Sequence, residues 1–488
     1  MVGLETASGG EPREILRRET PCLRRAGGFQ SVCVSEPAPS INEPVKFPPG
    51  LQNAFLFAGF NALSFPIVVG NPMILYAKTL GASATVLGII AGMMPLLVIF
   101  QIPAASHLGR IGYKRFVYAG WGIRTIFIVG LALLPLLTEV LDATARLALV
   151  LLLLFAFNLS RGISSCAWLP WITTLVPESI RGRYLAWDAA CVNFANFLVI
   201  VLVALALGDR PAPWQFAVMF LFSAAMGGMS LVFLKRIPDV EPQTATRSNN
   251  PEPVPWLAIS AHPPFRRLLW VNVAWPLAVG GVSAFTTAWL KVEAGMTEGQ
   301  VLLVSSVAFL GGLSNLWLLG PRLDRLGSRP VLLICMATWL VIVCGWLALA
   351  GRLLSPTTPV LLTLQFLMGL ASAVTGLANM RLAMAIIPVM GRDHFFALFS
   401  VVANLAMGLS PILWGVLIDA LRPLNYVWHG LAVNRYTVFY ALVGVFFLLT
   451  LWLCQRLEEP KAVSMEQLLR EMLIESPQRA LMRLWPRG

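Results

Sequence analysis

Charge is scarce in this chain. Asp, Glu, Lys and Arg make up 12% of its 488 residues, against roughly 25% in an ordinary soluble protein. Histidine is scarcer still: His107, His262, His394 and His429 fall near the ends of apolar runs or between them, with no metal-ligand spacing and no paired catalytic carboxylates. No Walker loop is present to suggest ATP-driven transport, and the seven cysteines contain no CxxC pair. Cys166, Cys191, Cys335, Cys344 and Cys454 lie in or beside apolar runs, where cysteine behaves as a small hydrophobe. No catalytic residue, cofactor or metal is therefore expected, and the chain does not read as an enzyme. Residues 1–50 carry no apolar stretch resembling a signal peptide.

What is abundant is apolar sequence. Hydrophobic residues make up 57% of the chain, with a mean hydropathy of +0.74. This length fits about a dozen spans of roughly 20 residues each. The expected class is an all-α membrane protein with about 12 transmembrane helices. Spans are predicted near 53–77, 84–108, 114–137, 146–175, 183–208 and 214–235, then 266–291, 298–320, 328–350, 358–388, 394–420 and 434–456.

The net charge of +12 is topological. Cations gather in the two tails and in every second loop, as the positive-inside rule requires. The opposite loops carry scattered ones: Lys78, Arg146, Arg210, Lys291, Arg352, Arg422 and Arg435. Both termini are expected on the cytoplasmic side of a plasma (inner) membrane. Basic residues interleaved with aromatics on one surface, as a nucleic-acid site needs, are not seen.

Five segments follow: a disordered N-terminal tail (1–50), a six-helix bundle (51–235), a polar, Pro-rich linker (236–265), a second bundle (266–456) and a tail (457–488). In that last tail Ser464-Met465-Glu466-Gln467 fits a capping box, and Met465, Leu468, Leu469, Met472 and Leu473 recur at the spacing of an amphipathic helix.

Two basic punctuations recur in both halves. Arg110-Ile111-Gly112-Tyr113-Lys114-Arg115 is matched by Gly320-Pro321-Arg322-Leu323-Asp324-Arg325-Leu326-Gly327-Ser328-Arg329, and Pro177 with Arg181 is matched by Pro388 with Arg392. Gly112 and Gly327 are 215 residues apart, and the two prolines 211. Internal repetition of this kind marks secondary transporters.

The stretch Gly320-x-x-x-Asp324-Arg325-x-Gly327-x-Arg329 resembles the loop signature of the major facilitator superfamily, and Pro177-x-x-x-Arg181-Gly182-Arg183 resembles that family's motif between the fourth and fifth helices. The resemblance implies two pseudo-symmetric six-helix bundles around a central cavity, over residues 51–456. It also implies a cytoplasmic latch involving Asp324, Arg325 and Arg329, with Gly320 and Gly327 at the turn. Arg110 and Gly112 hold the matching places in the first copy, and Glu178, Arg181 and Arg392 join the gating set. Arginines of this kind pair with carboxylates in one state and release them in another. The first copy departs from the pattern, because Gly109 stands where the acid belongs. The inner gate is therefore expected to lean on the C-terminal half.

Ionisable residues inside a bilayer are costly and become functional candidates. Arg161 lies 16 residues before Pro177, on the order of 24 Å along the helix. It shares a helical face with Asn158, Ser165 and Trp168. Arg124 in the third span is expected either to pair with Asp188 or to touch substrate. Arg381 reads as gate or topology. Gln365, Gly369, Ser372, Gly376 and Asn379 form a polar face on the tenth span, while Asn61, Ser64 and Asn71 show similar spacing on the first; Asn272 and Trp275 are weaker candidates on the seventh. Such residues also serve as interhelical hydrogen-bond glue. The substrate-binding set is Arg161, Asn158, Ser165, Trp168, Asn61, Gln365, Asn379 and Arg124.

No Asp or Glu falls near mid-depth of the first, fourth, seventh or tenth span, and the fifth lacks the Gly-Pro pattern of the family's drug/proton antiporters. The expected function is alternating-access movement of a small polar or anionic organic solute by a monomer in the lipid bilayer. The alternative is a non-transporting sensor or membrane assembly factor of the same fold.

Overall fold

The computed structural model describes residues 50–176, 178–240, 262–318, 328–386 and 392–457. The expected tail, linker and amphipathic segments at 1–49, 241–261 and 458–488 lie outside the described residues. The first half contains α1 (Gln52–Val69), α2 (Asn71–Thr79), α3 (Ala84–Leu97), α4 (Gln101–Ala105), α5 (Leu108–Ile111), α6 (Tyr113–Leu133), α7 (Ala143–Leu175), α8 (Glu178–Leu207) and α9 (Pro213–Arg236). The second contains α10 (Pro263–Val279), α11 (Val282–Val292), α12 (Glu298–Leu318), α13 (Ser328–Ala350), α14 (Thr358–Ile386), α15 (Arg392–Ala420) and α16 (Arg435–Gln455). Among the described residues eleven helical stretches are long and apolar enough to cross a membrane, and α12, 21 residues long, occupies the eighth place between two of them. Outward side chains are themselves apolar, as a lipid-facing belt requires: Ile126, Leu205 and Val341 are each about two-thirds exposed.

The first span of each half is broken by the same device. In α1 the N–H of Gly70 bonds the carbonyl of Pro66 at 3.0 Å, and in α10 the N–H of Gly280 bonds that of Pro276 at 2.7 Å. Proline removes a ladder donor and crowds the preceding turn. Gly70 then turns extended, and α2 restarts with Pro72 in its first turn, where a missing N–H costs nothing. In the second half Gly281 takes φ 82°, a left-handed conformation that glycine reaches freely. Pro66 and Pro276 are 210 residues apart, as are Gly70 and Gly280. This third repeat escapes a search for charged motifs, because its side chains carry no charge.

Close helix contacts join the halves. Gly88 and Gly92 on α3 face the backbone carbonyls of Pro411 and Gly408 on α15, and Gly415 faces that of Ala84. A Cβ at any of these would collide with backbone, so the two helices approach as small-residue membrane interfaces do. At the end opposite to where α1 starts and α16 stops, here the distal face, polar contacts add to this. Asp419 of α15 accepts from the N–H groups of Ala84 and Thr85 (3.0 and 2.7 Å) and from the Thr85 hydroxyl (2.7 Å). One half thus supplies the N-terminal cap of a helix in the other. The N–H of Gly299 bonds the carbonyl of Gly208 at 2.9 Å.

A hairpin that the sequence reading leaves as a loop precedes α16. Strands β1 (Asn425–Trp428) and β2 (Leu431–Asn434) pair antiparallel. His429 and Gly430 both have positive φ at the turn, the requirement of a two-residue type I′ connection.

Candidate functional site

The broken spans meet around a cavity of about 400 Å³ between the halves. Its walls are mainly apolar (Val69, Ile74, Val279, Met407), with Trp275 along one side. Asn71, Ser283 and Ser372 supply the polar side chains, and Gly376 opens the surface of α14. The Ser283 hydroxyl donates to Asn71 Oδ1 at 3.3 Å, joining α11 to α2 across the halves. Asn71, Trp275, Ser372 and Gly376 are among the residues singled out from the sequence. Ser283, Met407 and Asp419 are not, since a lone serine, methionine or span-end acid has no pattern to set it apart.

One to two helical turns along α1 from the cavity-lining Val69, the first half holds positive charge. Arg124 of α6 is 1% exposed. It donates through Nη2 to Asn61 Oδ1, which also accepts from Trp121 Nε1 at 3.3 Å. Its guanidinium lies 4.9 Å from the Trp121 ring centre and 5.5 Å from that of Phe157. Nε and Nη1 of Arg124 are buried without a hydrogen-bond partner. Arg161 of α7 sits 5.1 Å over Phe65, one helical turn before the cavity-lining Val69, and its Nη1 is likewise unpartnered.

The magnitudes roughly balance. An arginine at mid-membrane costs about 2.5–3.5 kcal/mol on insertion scales and more on an isolated helix. A desolvated cation–π contact returns about 2 kcal/mol and a hydrogen bond to a charged group about 1.5–3. Arg124 therefore roughly breaks even, with two donors unused. The expected ion pair with Asp188 is absent: Arg124 is held by Asn61 and aromatic faces, while Asp188 Oδ1 is itself buried without a partner. Two arginines close enough to repel one another thus stand without an acidic partner among the described residues.

The remaining predicted binding residues separate. Asn158 is buried and donates to its own helix at Leu154 O (2.9 Å). Ser165 bonds Gly162 O at 2.8 Å and reaches Gln101 at 3.5 Å. Trp168 joins Phe57, Trp121 and Trp171 in an aromatic cluster. The shared face of α7 is therefore divided among several neighbours. Gln365 is buried on α14, and Gly369 presses on the Ala308 backbone. Asn379 and Asn272 form a reciprocal amide pair (3.2 and 2.8 Å), the glue role. Ser64 does likewise with Ser223 at 3.0 Å.

Of the gating set, Gly320, Asp324, Arg325 and Gly327 lie outside the described residues. Glu178 and Arg181 fall on α8 and Arg392 starts α15, but their side chains also lie outside the description. Arg329 donates to the Gln455 carbonyl at 2.6 Å, tying α13 to the end of α16. Gly112 takes φ 84° at the turn into α6, and Arg110 lies on the exposed α5. Among the described residues no His, Cys, Asp or Glu cluster is suited to a metal.

No curated protein matches the chain. A solved D-xylose–proton symporter superposes with a TM-score of 0.66 at 14% identity, over 85% of this chain and 100% of its own. A point mutant of the nucleoside transporter NupG gives 0.63 at 13%, over 84% and 100%, and a peptide transporter, POT, 0.61 at 13%, over 84% and 95%. At these identities the likeness concerns the fold alone. The Major Facilitator Superfamily model matches residues 53–321 and 289–481. With that match along most of its length and the helix order of those transporters, the chain belongs to the major facilitator superfamily.

Proposed function

We propose that this protein is a secondary transporter that carries a small anionic organic solute across the membrane by alternating access. The observation that carries the reading is the pair Arg124, buried, and Arg161, half-buried, which have no acidic partner among the described residues and contact α1 one to two turns from the cavity-lining Val69. An anion passing this point supplies the missing acceptor, and charge-assisted bonds to guanidinium are among the strongest available. Arg161 is the contact residue. Arg124 acts behind it, anchored on Asn61, and adds to the local positive field. The cavity volume lies in the ordinary range of small-molecule sites, roughly 300–1,000 Å³. Its apolar walls, Trp275 and three polar side chains suit a carboxylate with a modest hydrophobic body.

Asp419, Ser283 and Gly299 close the distal side in this arrangement. Transport then requires those contacts to break as contacts at the opposite end form. The expected setting is a monomer in the plasma (inner) membrane with both termini cytoplasmic. The test is flux into proteoliposomes over a panel of organic carboxylates, each matched with its neutral carboxamide. Uptake is expected to favour a subset of the acids strongly over their amides, and Arg161→Ala removes that preference. Absence of flux for every class in folded protein points to the non-transporting sensor or assembly factor. Equal flux of acids and amides rejects the anion site.

A further inference from the structure

Three cations that look scattered along the sequence meet at one point of the distal face. Arg352 follows α13, Arg422 follows α15 and Arg435 begins α16. Together with Asn425, Asn434 and Glu293 they line a pocket of about 240 Å³ beneath the hairpin. Glu293 is the single acid there, and it is already paired with Arg435 at 3.0 Å. Arg352 and Arg422 have no ion-pair partner among the described residues.

The pocket is built rather than incidental. Strand β2 docks on the end of α13, with the N–H of Ala432 on Gly351 O and Asn434 Nδ2 on Ala350 O, both at 2.9 Å. Asn434 also caps α16, accepting from the N–H groups of Tyr436 and Thr437. Arg435 is steadied further by the Tyr436 ring, 5.0 Å away. Arg352 adopts φ 60° just past a helix end, a place normally given to glycine because L-residues reach that conformation only at a cost. An arginine held there against its backbone preference is the kind of local outlier that accompanies a site. Beside the pocket, Tyr426, Val427 and Trp428 stand exposed on β1, matching the aromatic residues that mark a membrane–water interface.

We propose that this distal pocket binds a phosphate-type anion, either the headgroup of an anionic phospholipid or free phosphate. Guanidinium forks match phosphate oxygens in two-point contacts, and three of them converge here against one neutralised acid. Arg422 lies three residues beyond Asp419, whose carboxylate caps α3 across the halves. Lys78 of the first half is within electrostatic reach of Arg422 and Arg435. An anion in the pocket therefore relieves repulsion at the seam where the halves close.

The full-length protein is tested in two arms. Native mass spectrometry from nanodiscs of mixed phosphatidylglycerol and phosphatidylcholine reads lipid retention. Thermal unfolding of delipidated protein, in sodium phosphate against sodium chloride of equal ionic strength, reads the free anion. Wild type retains phosphatidylglycerol at least about fivefold over phosphatidylcholine, or shows a phosphate-specific rise in its unfolding midpoint; the first result assigns a headgroup and the second free phosphate. Arg422→Gln removes the effect. Arg352→Gly removes it too, while leaving the midpoint in chloride equal or higher, since glycine accepts the left-handed backbone. That second variant separates charge from folding. No preference in either arm, or a preference unchanged in both variants, overturns the proposal.

Discussion

The two halves of this transporter fold solve one architectural problem with different chemistry. Motif spacing relates α6 to α13 by 215 residues and α7 to α14 by 211, so Arg124 corresponds to Trp339 and Arg161 to Ser372. Trp339 is 1% exposed, like Arg124. It stacks on Phe447 at 5.1 Å and meets Trp275 edge-on at 5.8 Å. The first half therefore places cations at this position, while the second fills it with packed rings; a buried donor is left unpartnered in each, Nε and Nη1 of Arg124 and Nε1 of Trp339. Ser372, the counterpart of Arg161, is on the cavity wall. The wall of the cavity thus belongs mainly to the second half, and the intramembrane arginines to the first.

Substitutions at the paired positions test that contrast. The largest effect is expected from Trp339→Ala, which removes a buried ring and costs about 4 kcal/mol of stability. Anion selectivity of the remaining folded protein stays unchanged, as unfolding and binding measurements together show. Next, Arg161→Ala lowers anion affinity by about 100-fold, on the order of 3 kcal/mol for a lost buried charge contact. Stability is nearly preserved, and titration calorimetry with a transported carboxylate reads the affinity. Arg124→Met acts in the opposite sense on stability. Replacing a buried, poorly partnered charge with an apolar side chain raises stability by about 2 kcal/mol while anion binding falls, a split that thermal unfolding and binding separate.

Asp419→Asn gives the smallest change. It keeps the side-chain shape and loses the charge, so the distal closure weakens by about 1 kcal/mol. Faster labelling of a cysteine placed at Ser283, read against the parent cysteine variant, checks it.

The fold was legible because lipid leaves little choice: long apolar runs must be helices, and cation bias orders them. The motif pairs around Gly112 and Pro177 fixed the internal repeat. The candidate site was legible only in part. Arg124 and Arg161 stand out as charges in apolar runs, and the burial of Arg124 and half-burial of Arg161 follow. Their neighbours do not follow, because helical periodicity places Asn158, Ser165 and Trp168 on one face without telling which helices that face meets. Asn379 illustrates the same limit: its partner Asn272 is 107 residues away, and nothing local distinguishes glue from a cavity wall. The paired Pro-x-x-x-Gly breaks were readable in principle, at the same interval as the charged motifs. The arginine pocket was not, since Arg352, Arg422 and Arg435 come from three different helix ends.

The most direct measurement compares uptake of a transported carboxylate with that of its carboxamide, in proteoliposomes holding wild type or Arg161→Ala. Wild type is expected to favour the acid by about 100-fold, the worth of a buried charge contact of on the order of 3 kcal/mol. Arg161→Ala should bring the ratio near unity with the protein still folded. A ratio in Arg161→Ala equal to that of wild type contradicts the account, because the charge of the first half would then play no part in recognising the solute.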